Sequence, residues 1–480
     1  MQGVSRATRG LRELPLGAHA QCAASASQSA GATPAVPPAV DVAVIGAGVI
    51  GLMIAWRLAR RGLSIAVFDR AGAGAGASLA ATGMLAAAAE HESGAHDLLA
   101  FALESQRQWP AFRSALEAQA GHAIDYREGG TLVVALGRDE VERLRFRHDL
   151  HRRCGLATRW LGGTEVRAIE PALRPSVAAG LFCADDHQVD PKLSIAALRA
   201  AFQSAGGNLV EHCAVTSLDV AAGSIAGVVT AAGHCRAKAV VLAAGAWTPD
   251  VLPAGFVVPV RPLKGQSLAV RATPDTGTLS HIVWTEQIHM APKGDGRLIV
   301  GATVEERGFD DAITAGGLYA LLEGARRALP AIEEMTVEAV WSGLRPSSID
   351  DAPILGATGI AGLAIATGHH RNGYLLAPAT ALAIEALITD GEMPAVARPF
   401  GLDRFSAADF AAGSSPSPRL PSGRSRPSST GYGEGRGEGA SPQAQTRGEA
   451  PSPALSPHSP SKTGVDALMP GRGVHDGLPA

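Results

Sequence analysis

The chain has 480 residues, of which 46% are hydrophobic and 18% charged, and a formal net charge of −3. Its length suits two or three domains, and its near-neutral balance gives no reason to expect nucleic acid or an anionic membrane as partner. Five scattered cysteines (Cys22, Cys154, Cys183, Cys213, Cys235) form no C-x-x-C pair, so no zinc or other metal site and no disulfide framework is indicated, a reducing, cytoplasmic compartment is expected, and no apolar run reaches the ~18 residues of a membrane span.

Residues 1–39 are rich in Ala, Ser, Gly and Pro, with Arg6, Arg9 and Arg12 near the start. They lack the continuous apolar core of a secretory signal. They read as a disordered extension or an over-long start, with an organelle transit peptide as the alternative. The fold is expected to begin near Val40.

Residues 41–45 read as a short, buried, β-rich strand. Gly46, Gly48 and Gly51 then have the G-x-G-x-x-G spacing. Residues 49–61 read as a helix with Ile50, Met53, Ile54 and Leu58 on one side. A second strand, 64–68, ends in Asp69, which stands 18 residues past Gly51. This is a βαβ unit with the parts of a dinucleotide site. Gly46 permits the tight turn, Gly48 lets backbone approach a pyrophosphate, and Gly51 lets helix and strand pack closely. The helix N-terminus offers free N–H groups to phosphate, and Asp69 is a hydrogen-bond acceptor for ribose hydroxyls. The motif alone leaves FAD and NAD both open, and a glycine-rich turn is the plain alternative in a chain with 57 glycines.

The run 72–78 is made of Gly, Ala and a final Ser78, suited to backbone lying against a flat ligand. Residues 96–118 read as a long helix, 131–136 as a strand, and 138–153 as a charged, exposed helix. Thr164 is the expected cap of a short helix that runs towards Pro171. Residues 191–204 read as a helix and 208–230 as paired strands. The strand 238–244 ends in Gly245-Ala246-Trp247, a candidate second backbone contact with the nucleotide. A section rich in alternating strands follows from 257 to 303, then a helix at 316–329 and a strand at 337–345. The strand 363–367 leads through a glycine-bounded loop, 368–373, into a helix from about 376 to 389, with Pro378 expected in its first turn. From about residue 406 Pro, Ser, Gly and Arg dominate, and such a tail cannot bury enough apolar surface to fold.

Four blocks in this order resemble the D-amino acid oxidase family of flavoproteins, and within it the glycine oxidases of the thiamine-thiazole pathway. They are VIGAGVIG at 44–51, GASLAATGML at 76–85, WSGLRP at 341–346 and GHHRNGYLLAPAT at 368–380. The resemblance covers roughly residues 40–405. It implies an α/β fold in which a Rossmann-like FAD-binding domain is interleaved with a mixed β-sheet substrate domain. The FAD segments would be about 40–90, 190–250 and 340–400, and the substrate domain about 91–189 and 251–339.

The same resemblance implies non-covalent FAD in an extended conformation. Val49, Ile50, Asp69 and Arg70 match its adenosine end. Ala77, Ser78, Thr82, Gly83 and Met84 match positions along the pyrophosphate and isoalloxazine. Val215 matches a contact near adenine, and His369, His370, Arg371, Asn372, Gly373, Tyr374 and Leu375 match the loop at the flavin pyrimidine edge. For the substrate, Arg345 matches the carboxylate anchor and Arg371 a second polar contact. Met84 is a candidate on both the cofactor and the catalytic side. His289 and Gln287 stand where relatives carry a substrate-facing tyrosine and a histidine, which leaves the preference among glycine, sarcosine and small D-amino acids open.

The implied reaction is oxidative deamination, with hydride transfer from the substrate Cα to the flavin and oxygen as final acceptor, in a homo-tetramer. Three alternatives are a D-amino acid dehydrogenase that passes electrons to a quinone or carrier, an N-methyl amino acid oxidase acting on sarcosine, and a non-catalytic flavin-binding regulatory protein. Arg345 and the small-residue loops argue against the last.

Overall fold

The computed structural model describes residues 34–274 and 276–406. The greater part of the expected N-terminal extension and nearly all of the expected tail therefore lie outside the described residues.

The strand Ala39–Ile45 is central to the first sheet. It pairs in parallel with Ile65–Phe68 on one side and Gly233–Leu242 on the other. Ile45 is in register with both Phe68 and Leu242, so the three strands stop at one level. Leu363–Thr367 and Asn208–Val210 extend the sheet in parallel, and Ile354–Ala357 closes one edge antiparallel. Residues 208–210 are thus an edge strand of the nucleotide sheet. Only the strands Val215–Ala221 and Ser224–Thr230 form the antiparallel pair that the sequence suggests for the whole stretch.

A parallel sheet is covered on both faces, so its strands are apolar throughout rather than alternating. Val42 and Val44 pack towards the helices Val49–Arg60, His96–Ala120, Pro191–Ser204 and Gly373–Asp390. Val40, Ala43 and Ile45 pack with Ile225 and Val228 of the antiparallel pair and with Cys235. Helix Gly373–Asp390 is apolar on nearly every side, as befits a helix enclosed by others. Its one buried acid, Glu385, is paired with Arg57 and Arg61 of the first helix.

Pro378 is placed differently from expectation. The helix begins at Gly373, so Pro378 lies in its second turn rather than its first. The missing N–H leaves the carbonyl of Tyr374 without its helical donor. The indole Nε1 of Trp109 donates to that carbonyl instead, at 3.1 Å. A buried tryptophan from another helix makes good the defect and lets the helix start early.

The second sheet runs in the order Thr336–Ser348, Val260–Arg271, Arg297–Gly301, His289–Pro292, Ile282–Trp284, Thr131–Ala135, Ala179–Cys183 and Thr158–Gly162. Strand 336–348 thus belongs here, although its last part falls in a segment that the sequence assigns to the FAD side. Helix His96–Ala120, assigned by sequence to the substrate side, buries Phe101 and Trp109 in the core of the first sheet. Side-chain alternation divides the strand Val260–Arg271. Leu268 and Val270 join the core under helix Ala315–Ala328, while Leu263, Gly265 and Ser267 face a large cavity. Thr164 is not a cap. Gly162 precedes the helix Gly163–Ile169, and the Glu165 carboxylate accepts from its N–H at 2.8 Å. Among the described residues no helix is long and apolar enough to cross a membrane, and no cluster of His, Cys, Asp or Glu is arranged to hold a metal.

Replacing Trp109 by Phe should leave the Tyr374 carbonyl unsatisfied and cost about 1–3 kcal/mol in urea unfolding. Pro378→Ala in that background restores a helical N–H and should recover part of the loss. Strictly additive effects would show that the indole does not substitute for the missing donor.

Candidate active site

One cavity of about 2150 Å³ runs from the carboxyl ends of the first sheet to the inner face of the second. That is roughly twice the upper end of the ~300–1,000 Å³ typical of small-molecule pockets. It is too long for an amino acid alone.

At its first end the glycine turn is sterically forced. Gly46 has φ +106°, and a Cβ there would meet the Ala243 carbonyl oxygen at 2.3 Å. A Cβ on Gly51 would lie 1.9 Å from the Gly46 carbonyl oxygen. Gly51 therefore acts under the cavity floor and does not line it, whereas Gly46 and Gly48 do. The Asp69 carboxylate accepts from the N–H groups of Ala47 at 2.7 Å and Ala71 at 2.8 Å. It ties the turn to the second strand and has lone pairs left for hydroxyls. Ser78 Oγ accepts from Val49 N–H at 2.9 Å, covering one of the free donors of the helix start. Arg70 lies over the ring of Trp247 at 3.6 Å, and burial pulls its guanidinium below the usual range. Val49, Ile50, Ala77, Val215 and Gly245 complete the wall at this end.

The residues present fit FAD. The turn accepts only glycine, donors and a helix start face the crevice at the strand ends, and the cavity continues far beyond a nucleotide.

Further along, Thr82, Gly83 and Met84 line the cavity opposite the second sheet. Gly83 has φ +80°, and a Cβ would strike the Val189 carbonyl oxygen at 2.2 Å. His369, His370, Arg371, Gly373 and Tyr374 form the wall of the glycine-bounded loop. The two other candidates of this loop do not line it. Leu375 is 1% exposed and packed in the hydrophobic core. Asn372 is occupied locally, its N–H donating to His369 O and its carbonyl accepting from Leu376 N–H, both at 2.9 Å. His369 is buried against Thr380 Oγ1 at 3.0 Å, and burial pushes its ring down to about 3. His370 pairs with Asp351 at 2.7 Å.

Arg345 and His289 share the far end with Arg371, Gln287 and Trp284. The Arg345 guanidinium lies against Gly265, where a Cβ would be 2.3 Å from Nη1. Its Nη1 donates to Thr303 O at 3.1 Å. Burial and then the charge of Arg371 pull it down to about 10, so it is cationic at neutral pH. His289 Nε2 is 3.1 Å from Thr82 Oγ1. Burial, aided by the charges of Arg345, Lys293 and Arg371, pushes it down to about 3 and keeps the ring neutral. Arg371 differs from expectation. It reaches the wall, but its guanidinium is held by Glu90 and by Glu92, the latter at 2.5 Å.

Sequence reasoning passes over Lys293. Its ammonium donates to Thr82 O at 2.7 Å and to Gln188 Oε1 and Val189 O, each at 2.9 Å. Burial pulls it down to about 7, yet three acceptors use all three N–H bonds, which only the protonated form possesses. In sequence it follows Pro292 and precedes Gly294, a context that reads as an exposed turn.

Residues 41–387 match the family model for FAD-dependent oxidoreductases of the D-amino acid oxidase type. The chain belongs to this family. It is 36% identical over 368 residues to a glycine oxidase of Geobacillus kaustophilus, covering 76% of this chain and 97% of that one. It is 34% identical to a bifunctional ThiO/ThiG protein of Trichormus variabilis, covering 79% of this chain and 59% of that one. The crystal structure of the Geobacillus kaustophilus glycine oxidase superposes with a TM-score of 0.72 at 34% identity, over 77% of this chain and all of that one. The expected fold, cofactor class and enzyme class are borne out: this is an FAD-dependent amino acid oxidase of the glycine oxidase kind. In this family setting, the turn at Gly46 and Gly48 with Asp69 would hold the nucleotide part, and the segment 82–84 the flavin ring.

Gly51→Ala should raise the Kd for FAD at least about tenfold, read by fluorescence titration of the apoprotein, because helix and turn cannot both keep their places around a methyl group. Unchanged FAD affinity would show that the turn does not carry the nucleotide.

Proposed function

We propose that this protein oxidises glycine, with sarcosine and small D-amino acids as further substrates. Amino acid, oxygen and water would give an oxo acid, ammonia (or methylamine from sarcosine) and hydrogen peroxide. The observation that carries this reading is Arg345: a cation in the cavity wall, flat on Gly265, with no carboxylate of the described residues paired to it. A planar guanidinium so placed offers two parallel hydrogen bonds to a substrate carboxylate. FAD, when bound, would supply the redox chemistry, as the acceptor for the hydride of the substrate Cα and the source of electrons for oxygen.

The protein's own residues orient and select. Arg345 fixes the carboxylate, which aims the Cα across the cavity towards segment 82–84. His289, already neutral, adds no positive charge near the substrate amine and leaves the binding of the free amine unopposed. Lys293 holds the Thr82 carbonyl, so the segment facing the substrate is fixed from behind. No side-chain base at Cα is required.

The similarity to the ThiO/ThiG protein supports a place in making the thiazole of thiamine. We further propose a homo-tetramer, located in the cytoplasm; the four free cysteines among the described residues accord with that compartment.

Anaerobic mixing with glycine, sarcosine, D-alanine and D-proline, followed at the flavin band near ~450 nm, tests the reading. Glycine should bleach the flavin, and air should restore it with peroxide formed. Bleaching without fast reoxidation would favour a dehydrogenase, and no bleaching by any of the four would overturn the substrate class. Arg345→Ala and Gly265→Ala should each raise the KM for glycine by about tenfold or more with FAD still bound. For the parent enzyme, kcat/KM for glycine should rise with pH as the substrate amine loses its proton. His289 should add no step near 6.5, the ordinary histidine range, because it has no proton left to lose there. A step at that pH that disappears in His289→Gln would show that the ring titrates in the site.

A further inference from the structure

The two arginines at the far end of the cavity are in opposite states. Arg345 has a backbone carbonyl as its hydrogen-bond partner and no carboxylate among the described residues. Arg371 has two carboxylates, Glu90 on Nε and Glu92 on Nη2. The Glu90 side chain is 12% exposed, that of Glu92 48%. Glu90 lines the same cavity as Arg345 and Arg371.

Glu90 is also aimed by its backbone. Its N–H donates to Ala86 O at 3.0 Å, closing a turn. The N–H groups of Ala88 and Ala89 inside that turn donate to the buried Asp186 carboxylate at 3.0 and 3.1 Å. The turn is pinned from behind, so Glu90 is held facing Arg371 rather than swinging to solvent.

A largely buried, paired carboxylate beside a cation does two things. It satisfies the cation, which then has little to gain from a ligand. It also repels any anion brought close, which is how a site rejects a wrong ligand. We infer that Glu90 is a specificity-determining residue: by occupying Arg371 it restricts this pocket to substrates with one carboxylate and excludes N-carboxymethyl amino acids such as iminodiacetate. This rests on the reading of Arg345 as the carboxylate anchor, and it turns Arg371 from a second anchor into a blocked one.

The test separates binding from turnover. Methoxyacetate and diglycolate differ by one carboxylate and carry no amine, so neither can be oxidised by this chemistry. Their Kd values are read from the perturbation of the bound flavin spectrum in the FAD-loaded full-length enzyme. The parent protein should bind methoxyacetate and bind diglycolate at least about tenfold more weakly. Glu90→Gln should shift the ratio of the two affinities towards diglycolate by about tenfold or more. The same variant should raise kcat/KM for iminodiacetate relative to sarcosine. Glu92→Gln changes a half-exposed side chain, so its folding is not at risk, and it should shift the ratio in the same direction by a smaller factor. A purely structural role for Glu90 would weaken both ligands together and leave the ratio unmoved. An unmoved ratio in both variants, or equal binding of the two ligands by the parent, overturns the inference. If methoxyacetate does not bind the parent at all, the anchor reading of Arg345 falls and the inference with it. If the ligands behave as expected but no amino acid bleaches the flavin, only the substrate reading fails.

Discussion

Between Gly51 and the carbonyl of Gly46 there is no room for a methyl group, and the cofactor half of the protein is arranged around that contact. The strand Ala39–Ile45, the turn and the helix Val49–Arg60 are locked by it into one geometry. Asp69 then reaches back to the Ala47 N–H, and Ser78 to the Val49 N–H. Ala243 closes against Gly46 from the neighbouring strand. Each of these groups faces the ligand cavity only because the turn is as tight as it is.

The substrate half is registered to this frame through Thr82. Two groups of the second sheet meet it, the neutral ring of His289 at its hydroxyl and the ammonium of Lys293 at its carbonyl. A buried ammonium left unbonded would cost several kcal/mol. With all its N–H bonds used, Lys293 becomes a rigid three-way tie between Thr82, Gln188 and Val189. Thr82, in the cavity wall, is thus tied to the second sheet at both its hydroxyl and its carbonyl.

Much of this was legible from sequence because it is local. The glycine spacing, the acid at Asp69 and the apolar strands on either side of the helix all lie within one βαβ unit, and the wall residues of 76–84 and 368–374 are carried by contiguous blocks. What was not legible depends on partners far away in the chain. Pro378 is tolerated in a second turn because Trp109 bonds Tyr374, a contact across 265 positions. Arg371 meets Glu92 across 279 positions, and Lys293 meets Thr82 across 211. A lysine in a Pro-Lys-Gly turn carries no local mark of burial, and an arginine in a loop carries no mark of being already paired. Leu375 turns into the core for a related reason: the loop's last residues are already helix, and every third or fourth side chain of a helix turns inward.

The segment 302–314 has work at both ends of the cavity. Its Thr303 carbonyl receives Arg345, and its Phe309 ring lies 5.5 Å from Trp247, on which Arg70 is stacked. Between them Glu305 exchanges backbone hydrogen bonds with Lys264 at 3.0 and 2.9 Å. One short piece of chain therefore borders both Arg345 and the Arg70–Trp247 stack. Substitutions at these two ends, though remote from each other along the ligand, act on a single body, and their free energies should not be treated as a sum. Any change in this stretch is answerable to two sites at once, Arg345 at one end of the cavity and the Arg70–Trp247 stack at the other.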